Sequence, residues 1–150
     1  MPRSILIPVD GSENSERAFN FYVENLMKAE DTILILHVTT TPHLPTFSIH
    51  EPLQMPAAEW TKKIQEQVEK TQKLAAHYEM LCEAKKLKKK TLLESGKPGE
   101  AICVAAKKEN ASMIVMGSRG LNAIRRTFVG SVSDYVLHHT HVPVTVVPPE

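Results

Sequence analysis

The sequence predicts an α/β protein, an open sheet of five parallel strands with helices on both faces. Short apolar runs alternate with segments whose apolar positions recur at threes and fours, the pattern of strands joined by right-handed helical crossovers. The run from Thr32 to Val38 is nearly all Ile and Leu, so that strand expects cover on both faces. The chain has 150 residues, 42% of them hydrophobic, which suits one domain over residues 1–150 with one core and no need of disulfides.

Each element has its own local cause. Ile5 to Val9 is an apolar run closed by Asp10-Gly11, a buried strand running into a turn. Ser12 supplies an N-cap oxygen to a helix carrying Ala18, Phe19, Tyr22 and Leu26 on one face, and Glu13 and Glu16 complement its dipole. Thr32 to Val38 is the second strand. Between Thr39 and Ala57, Pro42, Pro45, Pro52 and Pro56 exclude a helix, leaving a long connection that is either a lid or a passive surface loop. From Ala58 to Cys82, Ile64, Val68, Ala75, Tyr78 and Cys82 follow helical spacing with a gap at Thr71, an amphipathic surface helix with that stripe turned inward.

Lys85 to Lys90 is a basic run leading into a third strand at Thr91 to Glu94. A solvated helix end is its simplest reading; it lacks the aromatic residues of a nucleic-acid surface. Pro98 suits the first position of a helix with Ile102, Ala105 and Ala106 on its apolar face. Met113 to Met116 is the fourth strand. Val132, Val136 and His139 mark the last helix, and Val144 to Val147, fenced by prolines, is the fifth strand.

The totals exclude several functions. With 18 basic and 17 acidic side chains the net charge is +1, against the basic balance of a nucleic-acid binder. No apolar run reaches the roughly 18 residues of a membrane span, and Met1 to Ser4 leads into a strand without a signal-peptide pattern; the expected location is cytoplasmic. Cys82 and Cys103 form neither a disulfide framework nor a metal spacing and read as packing residues. His138, His139 and His141 lack the i, i+4 spacing of a helical metal pair, so they read as a polar helix end.

Distribution says more than totals. Three of the six glycines and three of the five arginines fall between Gly117 and Gly130. The loop runs Gly117-x2-Gly120-x9-Gly130-Ser131. Gly117 and Gly120 remove Cβ atoms where a phosphate could approach the backbone. Gly130, Ser131 and Val132 would offer N–H groups at a helix N-terminus, where the dipole favours an anion, with hydroxyls from Ser131 and Ser133. The alternative is that these glycines only turn the chain. The loop is neither a Walker A loop nor a dinucleotide fingerprint.

With Ile5 to Ser12, Leu36-His37-Val38, Ile114 to Gly120, Gly130 to Ser133 and His141 to Val144, the chain resembles the universal stress proteins over nearly its whole length, and its glycine loop matches the ATP-binding branch. The resemblance implies a Rossmann-like sheet in order 3-2-1-4-5, with ATP or AMP, with or without Mg²⁺, held across the first and fourth strand ends. Carried over by position, Pro8, Val9 and Asp10 would line the ribose and adenine side, with Asp10 near ribose hydroxyls or Mg²⁺. Val38 would contact adenine; Met116, Gly117, Arg119 and Gly120 would surround ribose and phosphates; Gly130, Ser131, Val132 and Ser133 would cradle the phosphates. A turn or capping role for Asp10 stays open. Ser112 stands where the family usually has an acidic residue. The resemblance also implies a homodimer through the last strand, with Val144 and Val146 among its contacts.

The function expected is an adenine-nucleotide-binding stress-response protein that senses or stores ATP or AMP. The alternative is a slow Mg-dependent ATP hydrolase in the same pocket, for which no general base or Walker lysine stands out. No catalytic residue and no protein metal site is expected, and neither nucleic acid nor membrane is expected as a partner.

Overall fold

The computed structural model describes residues 1–40, 57–118 and 130–150. The order of elements is β1 (Ser4–Val9), α1 (Glu13–Asn25), β2 (Thr32–Thr39), α2 (Ala57–Ala84), β3 (Lys88–Ser95), α3 (Pro98–Lys108), β4 (Met113–Gly117), α4 (Ser131–His139) and β5 (Val144–Val147). The five strands form one sheet in the order β3-β2-β1-β4-β5, with parallel pairing throughout. The long proline-bearing connection falls on residues 41–56, outside the described residues.

Alternation along the central strands feeds two apolar layers. Ile5, Ile7 and Val9 of β1 join Phe19 and Tyr22 of α1 and Tyr78 and Cys82 of α2 on one face. Leu6 joins Ile102 and Ala105 of α3, Ile114 and Met116 of β4, and Val136 of α4 on the other. Continuous apolar strands are therefore covered twice.

The register explains why the sheet opens at one place. β1 pairs with β2 from Ser4↔Thr32 to Val9↔His37. Its pairing with β4 covers only Ile5↔Met113 and Leu6↔Ile114. Beyond Leu6 the ladder between β1 and β4 ends, and Pro8, which has no N–H to give, lies past that point. At the opposite end Ser112 ties the same two strands: its N–H donates to the Ser4 carbonyl at 2.7 Å, and its hydroxyl accepts from the Ser4 N–H at 3.3 Å.

Two sequence expectations change. Lys88, Lys89 and Lys90 belong to β3, in register with Thr32, Ile33 and Leu34; β3 is an edge strand, where lysines are tolerated and discourage further pairing. The inward stripe of α2 holds only at its C-terminal end. Tyr78 and Cys82 are buried, but Ile64 is 51% and Val68 48% exposed, and Ala75 is exposed as well. The helix has 28 residues, about 42 Å of length, against about 26 Å for the 8 residues of β2, so its first turns overshoot the sheet. Thr71, at the gap in the stripe, donates its hydroxyl to the Gln67 carbonyl at 2.9 Å.

Candidate functional site

The winding direction reverses between β1 and β4, and the crevice beyond their carboxyl ends is where such sheets take ligands. The loop after β1 is held by a short chain of hydrogen bonds. Gly11 sits at φ +79°, a left-handed conformation that glycine adopts without Cβ strain. The Asp10 carboxylate accepts from the Ser12 N–H at 3.0 Å and from the Ser12 hydroxyl. Ser12 Oγ in turn accepts from the Ser15 N–H at 3.2 Å and so caps α1. Asp10 therefore does shape the turn. Ser15 completes the loop, donating its hydroxyl to the Ser12 carbonyl at 3.1 Å and accepting the Asp10 N–H at 3.4 Å. Nothing in the sequence singles out Ser15 except its place three residues after a capping serine.

A cleft of about 740 Å³ opens beside Asp10 and Gly11, between the ends of β1 and β2 and the flank of α2. Its floor carries Val38 and Thr39, and α2 contributes Lys63, Gln67, Lys70 and Leu74. Gln67 fixes that wall by donating its side-chain amide to the Thr40 carbonyl at 3.0 Å. His37 Nδ1 lies 3.2 Å from the Val9 carbonyl; a carbonyl only accepts, so that nitrogen carries the hydrogen. At the inner end of the cleft, burial pushes the Tyr78 phenol up to about 12, so it stays protonated and neutral at physiological pH.

Across the crevice β4 ends at Gly117, where a Cβ would lie 2.5 Å from the Asn14 carbonyl oxygen. That glycine is needed for α1 to cross the end of β4, a packing requirement separate from any phosphate. Gly130 caps α4 in an extended conformation without a side-chain bond. Ser131 is exposed, whereas Ser133 is 2% exposed and donates its hydroxyl to the Gly130 carbonyl at 3.0 Å. Of the two hydroxyls expected at this helix start, one is thus engaged within the helix. The N–H groups of Ser131, Val132 and Ser133 belong to a first helical turn, which leaves such groups without intrahelical acceptors.

The structure thus brings the β1 end (Pro8, Val9, Asp10), Val38 of β2, the β4 end (Met116, Gly117) and the start of α4 to one edge of the sheet. Arg119 and Gly120 lie outside the described residues. A polar cluster that the sequence reading missed sits at the opposite end of β1. There Asp31, its side chain 2% exposed, accepts from Arg3 Nε at 2.8 Å, the Tyr22 hydroxyl at 2.5 Å and the Lys28 N–H at 2.9 Å. The Arg3 guanidinium holds the Asp31 carboxyl down to about 2, against the opposing pull of burial. Burial and the neighbouring carboxylate raise the Tyr22 phenol well above its ordinary value. Only the alternation of charged and apolar residues flanks these positions in the sequence, so nothing there announces the cluster.

Comparison with known proteins gives a consistent picture. The profile of the Universal stress protein family matches residues 1–148. A Staphylococcus aureus (strain USA300) relative bearing the universal stress protein name is 32% identical over 146 residues, covering 97% of this chain and 83% of its own. Among solved structures, a universal stress protein family protein from Arabidopsis thaliana with AMP bound has a TM-score of 0.74 at 20% identity, over 99% of this chain and 93% of the other. A universal stress protein in complex with cAMP has a TM-score of 0.59 at 18% identity, over 97% of this chain and 95% of the other. At those identities the two structures speak for the fold.

Proposed function

Because the chain belongs to the universal stress protein family, we propose that it is a stress-response module, one domain over residues 1–150, that binds an adenine nucleotide, ATP or AMP, and senses or stores it. The observation that carries this reading is the point where the sheet reverses, with Asp10 following β1 on one side and the start of α4 following β4 on the other. That the Arabidopsis relative holds AMP and another neighbour holds cAMP supports adenine as the base.

The roles follow from chemistry. Val38 and Pro8 give an apolar surface for adenine beside Val9. The Asp10 carboxylate, oriented by Ser12, suits ribose hydroxyls, which are donors. The 5′ phosphates would run past Met116 and Gly117 to the first-turn N–H groups of Ser131, Val132 and Ser133, where helix polarity favours an anion. Arg119 and Gly120 complete the signature from the sequence side. Mg²⁺ is commonly held by one or two carboxylates plus substrate phosphates. Asp10 is the carboxylate at the end of β1, so the ion would arrive with the nucleotide and supply charge neutralisation.

Calorimetry with ATP, ADP and AMP, with and without Mg²⁺, tests the reading. Saturable binding is expected, weakened by Asp10→Ala and by Gly120→Val; wild-type protein that takes up no adenine nucleotide would defeat it. Product analysis after long incubation separates a binding module from a slow ATP hydrolase in the same pocket.

A further inference from the structure

The proposed nucleotide accounts for only part of the cleft beside Asp10. The ligand's 5′ end leads toward α4, but the cleft runs the other way, along Thr39 and Thr40 to α2. There Lys63, Lys70 and Lys73 line it. Lys63 and Lys70 are seven residues apart, two helical turns, and so fall on one stripe of α2. Among the described residues none of these three ammonium groups has a carboxylate within 4.0 Å, although other surface lysines, Lys89, Lys90, Lys97 and Lys108, each have one. The carboxylates that share the cleft are differently placed. Glu16 lies 3.3 Å from His77 Nε2, Asp10 takes the Ser12 N–H and hydroxyl, and Glu66 lies on α2 itself. The wall is also fixed in place, by the Gln67–Thr40 bond and by burial of Tyr78 and Cys82 farther along the helix. Lysines on a fixed wall of a cleft, with no carboxylate within 4.0 Å of their ammonium groups although Glu66 shares their helix, favour an anionic group from a ligand.

We propose that the α2 wall is a second anion subsite, centred on Lys70 and flanked by Lys63 and Lys73, and that the preferred ligand is an adenine nucleotide bearing a phosphate on its ribose as well as at its 5′ end. This rests on the nucleotide reading above. With the ribose at Asp10, its 2′ and 3′ oxygens are the atoms from which another group can extend toward α2, since the 5′ oxygen leads to α4. One ribose hydroxyl remains to donate to Asp10, while the phosphate on the other reaches the lysines. A charge-assisted contact of this kind contributes about tenfold or more in affinity.

The test is calorimetry on the full chain with AMP, adenosine 3′,5′-bisphosphate, adenosine 2′,5′-bisphosphate and ADP. One or both bisphosphates should bind about tenfold more tightly than AMP. The triple substitution Lys63→Ala, Lys70→Ala, Lys73→Ala should abolish that advantage and leave the AMP affinity and the ADP-to-AMP ratio unchanged, because ADP adds its charge at the 5′ end. These lysines are exposed, and a circular dichroism melt checks that the variant is folded. If AMP binds and neither bisphosphate binds better, or if the advantage survives the triple substitution, the subsite is wrong and the nucleotide reading stands. If neither AMP nor a bisphosphate binds, both fall.

Discussion

At the scale of single residues, the two ends of β1 have opposite tasks. At its start Arg3, Tyr22 and the Lys28 N–H converge on the Asp31 carboxylate. The Asp31 carboxyl titrates at about 2 in the folded protein, below the ordinary aspartate value of 3.8, so its contribution is complete above about pH 4 and is lost as the pH falls toward 2. Linkage puts that loss at about 2 kcal/mol. Urea denaturation should show stability dropping between pH 4 and 2.5, and Asp31→Asn should flatten that drop while lowering stability at pH 7. An unchanged slope in the variant would mean that another carboxylate governs the acid limb. At its other end β1 passes through Pro8 to Asp10, and pairing with β4 has already stopped. Pro8 and Asp10 stand out in the sequence as a strand end and a turn. The Arg3–Asp31 pair does not, because 28 residues separate the partners and only the folded register makes them neighbours.

At the scale of elements, close approach is purchased with glycine in two places. Gly117 lets α1 cross the end of β4, and Gly99 lets α3 meet α4, where an added Cβ would lie 2.6 Å from the Tyr135 ring. Gly99→Ala should therefore destabilise the protein by about 1–3 kcal/mol. In a Tyr135→Ala background the same substitution should cost much less, since the ring it meets is gone; additive thermal shifts would refute the contact. Helix existence and face were legible from spacing for α1 and α3, whose Ala18, Phe19, Tyr22, Ile102 and Ala105 are all buried. For α2 the same spacing misled at Ile64, Val68 and Ala75. Periodicity reports which residues share a face, and the length of the neighbouring strand decides how much of that face is covered. The start of β3 misled for the complementary reason: lysines carry no strand signal, and pairing with β2 brings them into the sheet.

At the scale of the whole molecule, the sheet has two unlike edges. β3 presents Lys88 and Lys90, while β5 is a strand of four apolar and small residues with Val144 and Val146 half-buried. A lysine-bearing edge resists pairing and a short apolar one invites it, so a second copy of this chain would join at β5. Light scattering should report a dimer, and Val146→Lys should shift it toward monomer with nucleotide affinity retained; a wild-type chain that stays monomeric at high concentration contradicts this. Among the described residues no helix is long and apolar enough to cross a membrane. The sheet order followed from the family resemblance, and the crevice from that order. The cleft toward α2 was not legible, because it depends on how a helix far along the chain lies against the end of β2.

The most direct test of the central claim is an amide chemical-shift titration of the full chain with AMP. Nucleotide bound at the sheet reversal should perturb Val9 to Ser12, Val38, Met116, Gly117 and Ser131 to Ser133 together, with one saturation curve. Shifts confined to another surface, such as the outer face of α1 around Glu13 and Phe21, or no saturable shifts at all, would contradict it.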